Sequence, residues 1–168
     1  MKETKTELKD MAEEYLPAVT DLYNHYVLHT TATFHAKALT VDEMRDIVFF
    51  ENPRFKAFVI LRSGVVCGYA IAAPFKSREA YGETAEVTVY LKPEVTGRGI
   101  GSRAVELIED YAATNGFHAL LALICGENSQ SIRVFERNGY EKCAHYKEVG
   151  KKFGRRPDVV AYQKIIHV

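Results

Sequence analysis

Every second residue between positions 86 and 91 is apolar, which is the period of a β-strand with one buried face. A glycine-rich segment follows at 97–101. From Ile100 to Ala112 apolar residues recur at helical spacing, and Asn115-Gly116 ends that pattern. The centre of the chain is therefore predicted to place a strand, a glycine-rich turn and a helix in direct succession.

The same patterns predict the elements on either side. A first helix is predicted from Pro17, with Ala18, Leu22, Tyr26 and His29 on one face. The other predicted elements are a helix at 41–50 that opens with a Thr40–Glu43 capping box, strands at 57–61, 65–73, 119–124, 140–146 and 159–166, and a helix at 129–138. Because the strand at 119–124 is apolar, we expect it to be covered on both faces, in an α/β fold with a mixed sheet between helical layers.

Composition narrows the class of protein. The chain has 168 residues, 47% hydrophobic, with 22 basic and 22 acidic side chains. This predicts one domain over residues 1–168 and speaks against a nucleic-acid partner, which usually requires concentrated positive charge. No apolar run reaches membrane-spanning length, and the first residues lack a signal-peptide core. Cys67, Cys125 and Cys143 are widely spaced, which favours buried thiols over disulfides, so we expect a cytoplasmic protein.

The glycine-rich turn at 97–101 is a candidate anion site. The first amides of a helix have no partners, its dipole is positive at that end, and glycines let a bulky anion approach. The spacing does not match a dinucleotide fingerprint, since the third glycine counted from Gly97 would fall on Ser102, and no Walker lysine occurs. A tight turn that needs glycine only for its backbone conformation is the alternative.

Three segments resemble the GCN5-related N-acetyltransferase (GNAT) family. Residues 96–101, Thr-Gly-Arg-Gly-Ile-Gly, are similar to its Gln/Arg-x-x-Gly-x-Gly/Ala pyrophosphate loop, with Thr96 where Gln or Arg is usual. Residues 128–140 resemble its second motif, Asn-x-x-Ala/Ser, a helix, then Gly-Phe/Tyr. Residues 74–86 are similar to the Pro-Trp-Lys-x-Arg-x-Ala-Tyr-x-x-Thr-x-Glu segment of the phosphinothricin and methionine sulfoximine N-acetyltransferases. The resemblance implies a mixed, mostly antiparallel sheet of six to seven strands, about four flanking helices, and acetyl-CoA as co-substrate.

The resemblance also implies where acetyl-CoA binds. In the family's geometry the central strand separates from the following one near Tyr90 and Leu91, so that pantetheine pairs with exposed backbone and an amide faces the thioester oxygen. The residues implied to bind the acyl donor are Tyr90, Leu91, Thr96, Gly97, Arg98, Gly99, Ile100, Gly101, Ser102, Asn128 and Ser131. Asn128 is explained equally well as the N-cap of its helix.

Glu86 matches the carboxylate of the family segment and is the predicted catalytic residue. A carboxylate near an ammonium can receive its proton as the amine approaches the thioester; an ordinary exposed glutamate is the alternative. The residues implied to bind the amine substrate are Phe34, Arg78, Tyr81 and Glu83. Arg78 would hold a substrate carboxylate, or lie solvated in its loop. Phe34 and Tyr81 would line the pocket, or belong to the core, and Glu83 would reshape the pocket.

Three features stay outside these assignments. Phe135 stands where many family members have a tyrosine and closer relatives often a histidine, so we name no general acid; water can protonate a tolerable leaving group such as the CoA thiolate. His25 and His29 lie one helical turn apart without a third ligand, and no metal is expected. The basic run at 151–156 is predicted to be a solvated loop without chemistry.

The chain is thus predicted to be an enzyme that moves an acetyl group from acetyl-CoA to the α-amine of a small amino-acid analogue by direct attack in a ternary complex, as a homodimer by resemblance. None of the cysteines lies near Glu86 in sequence, which disfavours a cysteine acyl-enzyme route. One alternative is acetylation of another amine, such as an antibiotic, a polyamine or a protein N-terminus, which the extra carboxylate of Glu83 favours. The other is a non-catalytic acyl-CoA-binding module, which Phe135 allows and Glu86 opposes.

Overall fold

The computed structural model describes residues 4–166 and folds them into one seven-stranded sheet with helices on both faces. The strands are β1 (Thr6–Asp10), β2 (Lys56–Arg62), β3 (Val65–Pro74), β4 (Thr84–Leu91), β5 (Ala119–Cys125), β6 (Glu141–Tyr146) and β7 (Val159–Ile165). The helices are α1 (Leu16–His29), α2 (Val41–Val48), α3 (Ile100–Thr114) and α4 (Ser129–Arg137). The strand order is β1-β2-β3-β4-β5-β7-β6, and among these strands only β4 and β5 pair in parallel. The predicted α/β fold with a mixed, mostly antiparallel sheet is confirmed.

Two apolar clusters cover the two faces of the sheet. On one face Ile108 of α3 and Phe135 of α4 pack with residues of β2 to β5 and β7. On the other face Val27 of α1 and Met44 of α2 pack with residues of β2 and β3. The second cluster does not include β5, and Leu123 on that strand is 44% exposed. Because Ala119, Leu121 and Cys125 point to the same side as Leu123 and are buried, the expectation that this strand is covered on both faces holds except at Leu123.

The N-terminal part departs from the predicted pattern in two ways. Strand β1, which pairs antiparallel with β2, was not predicted because Leu8 is its only large apolar residue. In α1 the expected face is wrong in part: Ala18 and His29 are exposed, whereas Leu22 is buried and Tyr26 half-buried. The buried residues of α1 are Leu16, Val19, Thr20, Leu22, Tyr23 and Val27.

Helix α2 begins where its capping box predicts. The Thr40 hydroxyl accepts from the Glu43 amide at 3.1 Å, and the Glu43 carboxylate accepts from the Thr40 amide at 2.8 Å. The helix ends at Val48 and not at residue 50, because Phe49 adopts an extended backbone conformation.

The cysteines differ in their surroundings. Cys67 and Cys125 are buried free thiols, as expected, but Cys143 is exposed. Its strand, β6, is the last of the sheet, so one edge of that strand has no covering neighbour.

Strands β4 and β5 separate after three paired positions. Thr84, Ala85 and Glu86 pair with 119–121, and no pairing with β5 continues over the rest of β4. On its other edge β4 stays paired with β3 up to Leu91, so an unpaired edge runs over 87–91. The family resemblance implied that the two strands separate near Tyr90 and Leu91. In the structure they separate earlier, directly after Glu86.

Candidate active site

A cavity of about 610 Å³ opens where β4 and β5 separate. Its walls come from the end of β4, the turn before α3, the first turns of α4 and the segment that follows α1. The lining residues include nine of the predicted donor-binding residues: Tyr90, Leu91, Thr96, Gly97, Gly99, Gly101, Ser102, Asn128 and Ser131. Arg98 is exposed outside this lining, and the side chain of Ile100 is buried in the core, which leaves only the backbone of Ile100 to the turn.

The turn before α3 presents backbone amides without helical hydrogen-bond partners to the cavity. Gly97 and Gly99 have φ of 74° and 77°, a region that side chains other than glycine rarely adopt. A Cβ at either position would meet no atom within 4 Å, so the space in front of the turn is open. The Arg103 amide makes the first helical bond, to the Gly99 carbonyl at 3.1 Å, which leaves the amides of 100–102 without helical partners. The Thr96 hydroxyl donates to the Pro93 carbonyl at 2.8 Å, so it is engaged within its own turn.

Asn128 opens helix α4. Its side-chain oxygen accepts from the Ser131 amide at 3.1 Å, which makes Asn128 the N-cap of the helix, one of the two predicted alternatives. Both residues also line the cavity. The cap leaves the amide nitrogen of the side chain available for a further hydrogen bond.

Glu86 lies at the end of the paired part of β4. It is half-buried and makes no side-chain hydrogen bond or ion pair with the described residues. Burial raises the pKa of its carboxyl above the usual value. Because alternate residues of a strand point to one face, Glu86 lies on the same face of β4 as Tyr90. This combination of burial, missing partner and position is that of a carboxyl able to accept a proton.

Four tyrosines form a cluster behind the open edge of β4. The Tyr90 ring stacks on Tyr69 at 5.5 Å, meets Tyr23 edge-on at 5.4 Å and lies 5.3 Å from Tyr26. The Tyr90 hydroxyl donates to the Ala32 carbonyl at 3.2 Å. The Tyr26 hydroxyl donates to the Leu91 carbonyl. The cluster ties α1 and the segment after it to the end of β4.

None of the four predicted substrate residues is among the cavity-lining residues. Arg78 and Glu83 are exposed, and Tyr81 packs edge-on against Phe75 at 5.7 Å. The Phe34 ring lies against the backbone of Gly150, where a Cβ would come within 2.4 Å of it. Phe34 therefore contacts the segment between β6 and β7, whereas the other three lie in the segment between β3 and β4.

The segment between β6 and β7 is not simply solvated. Lys152 is 5% exposed, and its ammonium donates to the Thr33 carbonyl at 2.8 Å. Burial lowers the pKa of this ammonium. Arg155 pairs with Glu127, which also accepts from the Thr31 hydroxyl at 3.0 Å. The prediction of a solvated loop is wrong for Lys152, because a basic run does not reveal that another segment folds over one of its members.

The two histidines of α1 stay together, with ring centroids 5.2 Å apart. Over residues 4–166 there is no group of three or more His, Cys, Asp or Glu side chains arranged to hold a metal ion. Within the same residues no helix is both long and apolar enough to cross a membrane.

Comparisons with known proteins agree with the resemblance. Residues 10–140 match the acetyltransferase (GNAT) family. The chain is 35% identical over 164 residues to the phosphinothricin N-acetyltransferase of Streptomyces coelicolor, covering 95% of this chain and 96% of that protein. It is 34% identical over 149 residues to the L-methionine sulfoximine/L-methionine sulfone acetyltransferase of Salmonella typhimurium, covering 87% and 86%.

The fold of this chain also matches that of a solved acetyltransferase structure. A GNAT superfamily phosphinothricin acetyltransferase from Sinorhizobium meliloti, in complex with acetyl-CoA, matches with a TM-score of 0.90 and 29% identity over 96% of this chain and 88% of that one. The predicted family and the prediction of an acetyltransferase are thereby confirmed. The chain belongs to the acetyltransferase (GNAT) family.

Proposed function

We propose that this protein transfers the acetyl group of acetyl-CoA to the α-amine of a small amino-acid analogue of the phosphinothricin, methionine sulfoximine or methionine sulfone type. The observation that carries the proposal is the half-buried, unpartnered carboxyl of Glu86 at the point where β4 and β5 separate. Glu86 is not itself among the residues that line the cavity, whereas Tyr90 and Leu91 further along the same strand are. The names of the relatives in Streptomyces coelicolor and Salmonella typhimurium support this substrate class.

The donor site follows from the free backbone around the cavity. The pyrophosphate would lie on the amides of 100–102, where the open space in front of Gly97 and Gly99 admits a bulky anion. Pantetheine would pair with the unpaired edge of β4 through the backbone of Leu91, since the backbone groups of Tyr90 face β3. The remaining donor contacts would come from Thr96, Arg98, Ser102, Asn128 and Ser131.

The reaction we propose is direct attack in a ternary complex. The acceptor ammonium would pass a proton to Glu86, directly or through water, and the neutral amine would attack the thioester carbon. The Lys92 amide bonds to the Cys67 carbonyl at 2.8 Å, so by strand alternation the Leu91 amide points to the open edge. That amide is the proposed donor to the thioester oxygen as negative charge develops there.

The acceptor would bind on the side of Arg78, Tyr81, Glu83 and Phe34. Arg78 makes no ion pair with the described residues, so its guanidinium is available to a substrate carboxylate, which it can hold through two hydrogen bonds. Glu83 is exposed in the same segment and favours the second candidate, an acceptor with additional positive charge.

We further propose a cytoplasmic homodimer. Four large apolar side chains are exposed on β5, β6 and the segment between β6 and β7: Leu123 at 44%, Tyr146 at 49%, Val149 at 59% and Phe153 at 55%. A contiguous apolar patch is typical of protein interfaces, and we propose that these side chains form one between the two subunits. Light scattering after size exclusion should give about twice the chain mass of 19.0 kDa; a mass equal to one chain would contradict the dimer.

Release of CoA thiol from acetyl-CoA tests the function, with phosphinothricin, methionine sulfoximine, methionine sulfone, polyamines and an aminoglycoside as acceptors. Turnover confined to the amino-acid analogues supports the proposal and the role of Arg78. Turnover on the cationic amines alone supports the second candidate. Binding of acetyl-CoA without turnover on any acceptor would contradict both and indicate a non-catalytic acyl-CoA-binding module.

A further inference from the structure

The wall of the cavity formed by α4 carries no phenol or imidazole that could act as an acid. Phe135 lines the cavity from α4, and its ring packs edge-on against Tyr140 at 5.0 Å. A phenylalanine side chain has no proton to release. A thiolate that leaves in the proposed reaction must still become a thiol, so a donor on another wall would serve the reaction.

Tyr26 brings a phenol hydroxyl to the opposite wall. It projects from α1, lines the cavity and donates its hydroxyl proton to the Leu91 carbonyl. The amide and the carbonyl of one strand residue point to the same edge, so this carbonyl lies on the edge of β4 that β5 leaves unpaired. The Tyr26 hydroxyl therefore occupies a backbone acceptor beside the amide proposed to hold the thioester oxygen.

The other hydroxyls around the cavity are less suited to this task. Those of Thr30, Thr31 and Thr96 donate to the Tyr26 carbonyl, the Glu127 carboxylate and the Pro93 carbonyl, respectively. Ser102 and Ser131 also line the cavity with aliphatic hydroxyls, of which that of Ser102 accepts from the Asn138 side chain at 2.9 Å. The Tyr90 hydroxyl is bound to the Ala32 carbonyl. Aliphatic hydroxyls are also far weaker acids than a phenol, whose ordinary pKa of about 10 lies much closer to that of a thiol.

The surroundings of Tyr26 keep it protonated and in place. Burial, followed by the nearby charge of Glu94, raises the pKa of the phenol, so the hydroxyl carries its proton at neutral pH. The ring lies 5.3 Å from the Tyr90 ring and 5.4 Å from the His25 ring, which restricts its motion to small adjustments.

We propose that Tyr26 is the general acid that protonates the departing CoA sulfur, an inference that rests on the proposed acetyl transfer. Binding of the pantetheine arm along β4 would take over the Leu91 carbonyl and release the Tyr26 hydroxyl. As the carbon–sulfur bond of the tetrahedral species breaks, the electron pair goes to sulfur and the phenol proton forms the new S–H bond. The phenolate regains a proton from the substrate nitrogen through water. The nitrogen loses two protons in all, one to Glu86 and then solvent, and one that replaces the proton of Tyr26.

The test compares Tyr26→Phe with a matched control, Tyr23→Phe, for acetyl-CoA turnover on an acceptor that the unmodified protein acetylates. Tyr23 lies on the same helix and in the same aromatic cluster, but its hydroxyl bonds to Thr33 and His35 and the residue does not line the cavity. We expect Tyr26→Phe to lower kcat by about 10- to 100-fold with the acetyl-CoA Kd, from calorimetry, unchanged or lower. The control should keep its kcat even if its melting temperature falls.

A rescue experiment separates an acid from a merely structural residue. Phe135→Tyr introduces a phenol on the α4 wall. The double variant should have a kcat at least about tenfold higher than that of Tyr26→Phe alone. Unchanged kcat in Tyr26→Phe, a loss confined to acetyl-CoA Kd, or an equal loss in Tyr23→Phe would each overturn the assignment of Tyr26. Absence of turnover in the unmodified protein would instead overturn the proposed function, and the inference with it.

Discussion

Glu86 and Leu121 form the last paired position between β4 and β5. The proposed base thus sits where two parallel strands separate, and the unpaired edge of β4 begins one residue beyond it. The separation brings a carboxyl, free backbone groups and a cavity of about 610 Å³ to one end of the sheet. The proposed reaction would use all three, and each can be altered separately.

The carboxyl is tested by Glu86→Gln, which keeps the size of the side chain and removes its ability to accept a proton. We expect kcat to fall by about 100-fold or more, with the acetyl-CoA Kd from calorimetry unchanged. Glu109→Gln is the matched control, because burial also raises the pKa of the Glu109 carboxyl, yet that residue pairs with Lys164 and lies outside the cavity lining. Full turnover in Glu86→Gln would exclude Glu86 as the base.

The pKa of the same carboxyl predicts a pH dependence. Burial raises the pKa of Glu86, and the protonated carboxyl cannot accept a proton from the amine. We expect kcat/KM to fall as pH drops through this raised pKa, and the corresponding limb to be absent in the residual activity of Glu86→Gln. A profile shared by both proteins would assign that limb to another group.

The raised pKa of the Glu86 carboxyl also affects the stability of the folded protein. A carboxyl whose pKa is higher in the folded than in the unfolded chain destabilises the fold above that pKa, where it is ionised, and has no such effect at low pH, where it is protonated in both states. Glu86→Gln should therefore raise the melting temperature near neutral pH and have a smaller effect near pH 4. Equal melting-temperature shifts at the two pH values would contradict the burial effect.

The turn before α3 is tested by Gly99→Ala, with Gly64→Ala as the control. The two glycines have φ of 77° and 76°, and a Cβ at either would meet no atom within 4 Å. Each alanine should cost about 1–2 kcal/mol of folding free energy for its left-handed conformation. Only Gly99→Ala should also weaken acetyl-CoA binding, by about tenfold, because its methyl group would lie beside the amides proposed to hold the pyrophosphate. Equal acetyl-CoA affinities for both variants would argue against a pyrophosphate at this turn.

Two substitutions of Asn128 separate its role as N-cap from contact with the donor. Asn128→Asp keeps an oxygen for the Ser131 amide and should leave the melting temperature unchanged, but it removes the amide donor and adds a negative charge, so acetyl-CoA should bind about tenfold more weakly. Asn128→Ala should lose about 1 kcal/mol of stability as well. If the donor affinity of both variants equals that of the unmodified protein, Asn128 is an N-cap only.

Local features of the sequence predicted local structure well. The apolar period before residue 91 and the glycines from Gly97 to Gly101 describe β4, the turn and α3, because periodicity and backbone freedom act over a few residues. The Thr40–Glu43 capping box predicted the start of α2 correctly for the same reason, since both partners lie within one helical turn. The edge strand β1 was missed because a strand that gains its hydrogen bonds from a distant neighbour needs little apolar pattern of its own.

Contacts between distant segments were beyond sequence reasoning. Lys152 reads as one charge in a basic run, but the segment after α1 folds over it and places its ammonium on the Thr33 carbonyl, 119 residues away. Tyr26 reads as a residue on the apolar face of α1, but its hydroxyl reaches the Leu91 carbonyl 65 residues away. Periodicity assigns such a residue to a face of its helix and says nothing about what its polar atom meets.

The sequence by itself determined the order and type of most elements, the glycine turn and the family, because these depend on neighbouring residues and on motifs that can be read along the chain. Only the tertiary structure decided where β4 loses its partner strand, which carboxyl is buried without a partner there, and which hydroxyl faces the open edge. These properties arise when segments far apart in the chain come together, since strand pairing and burial are determined by the packed whole and not by any one stretch.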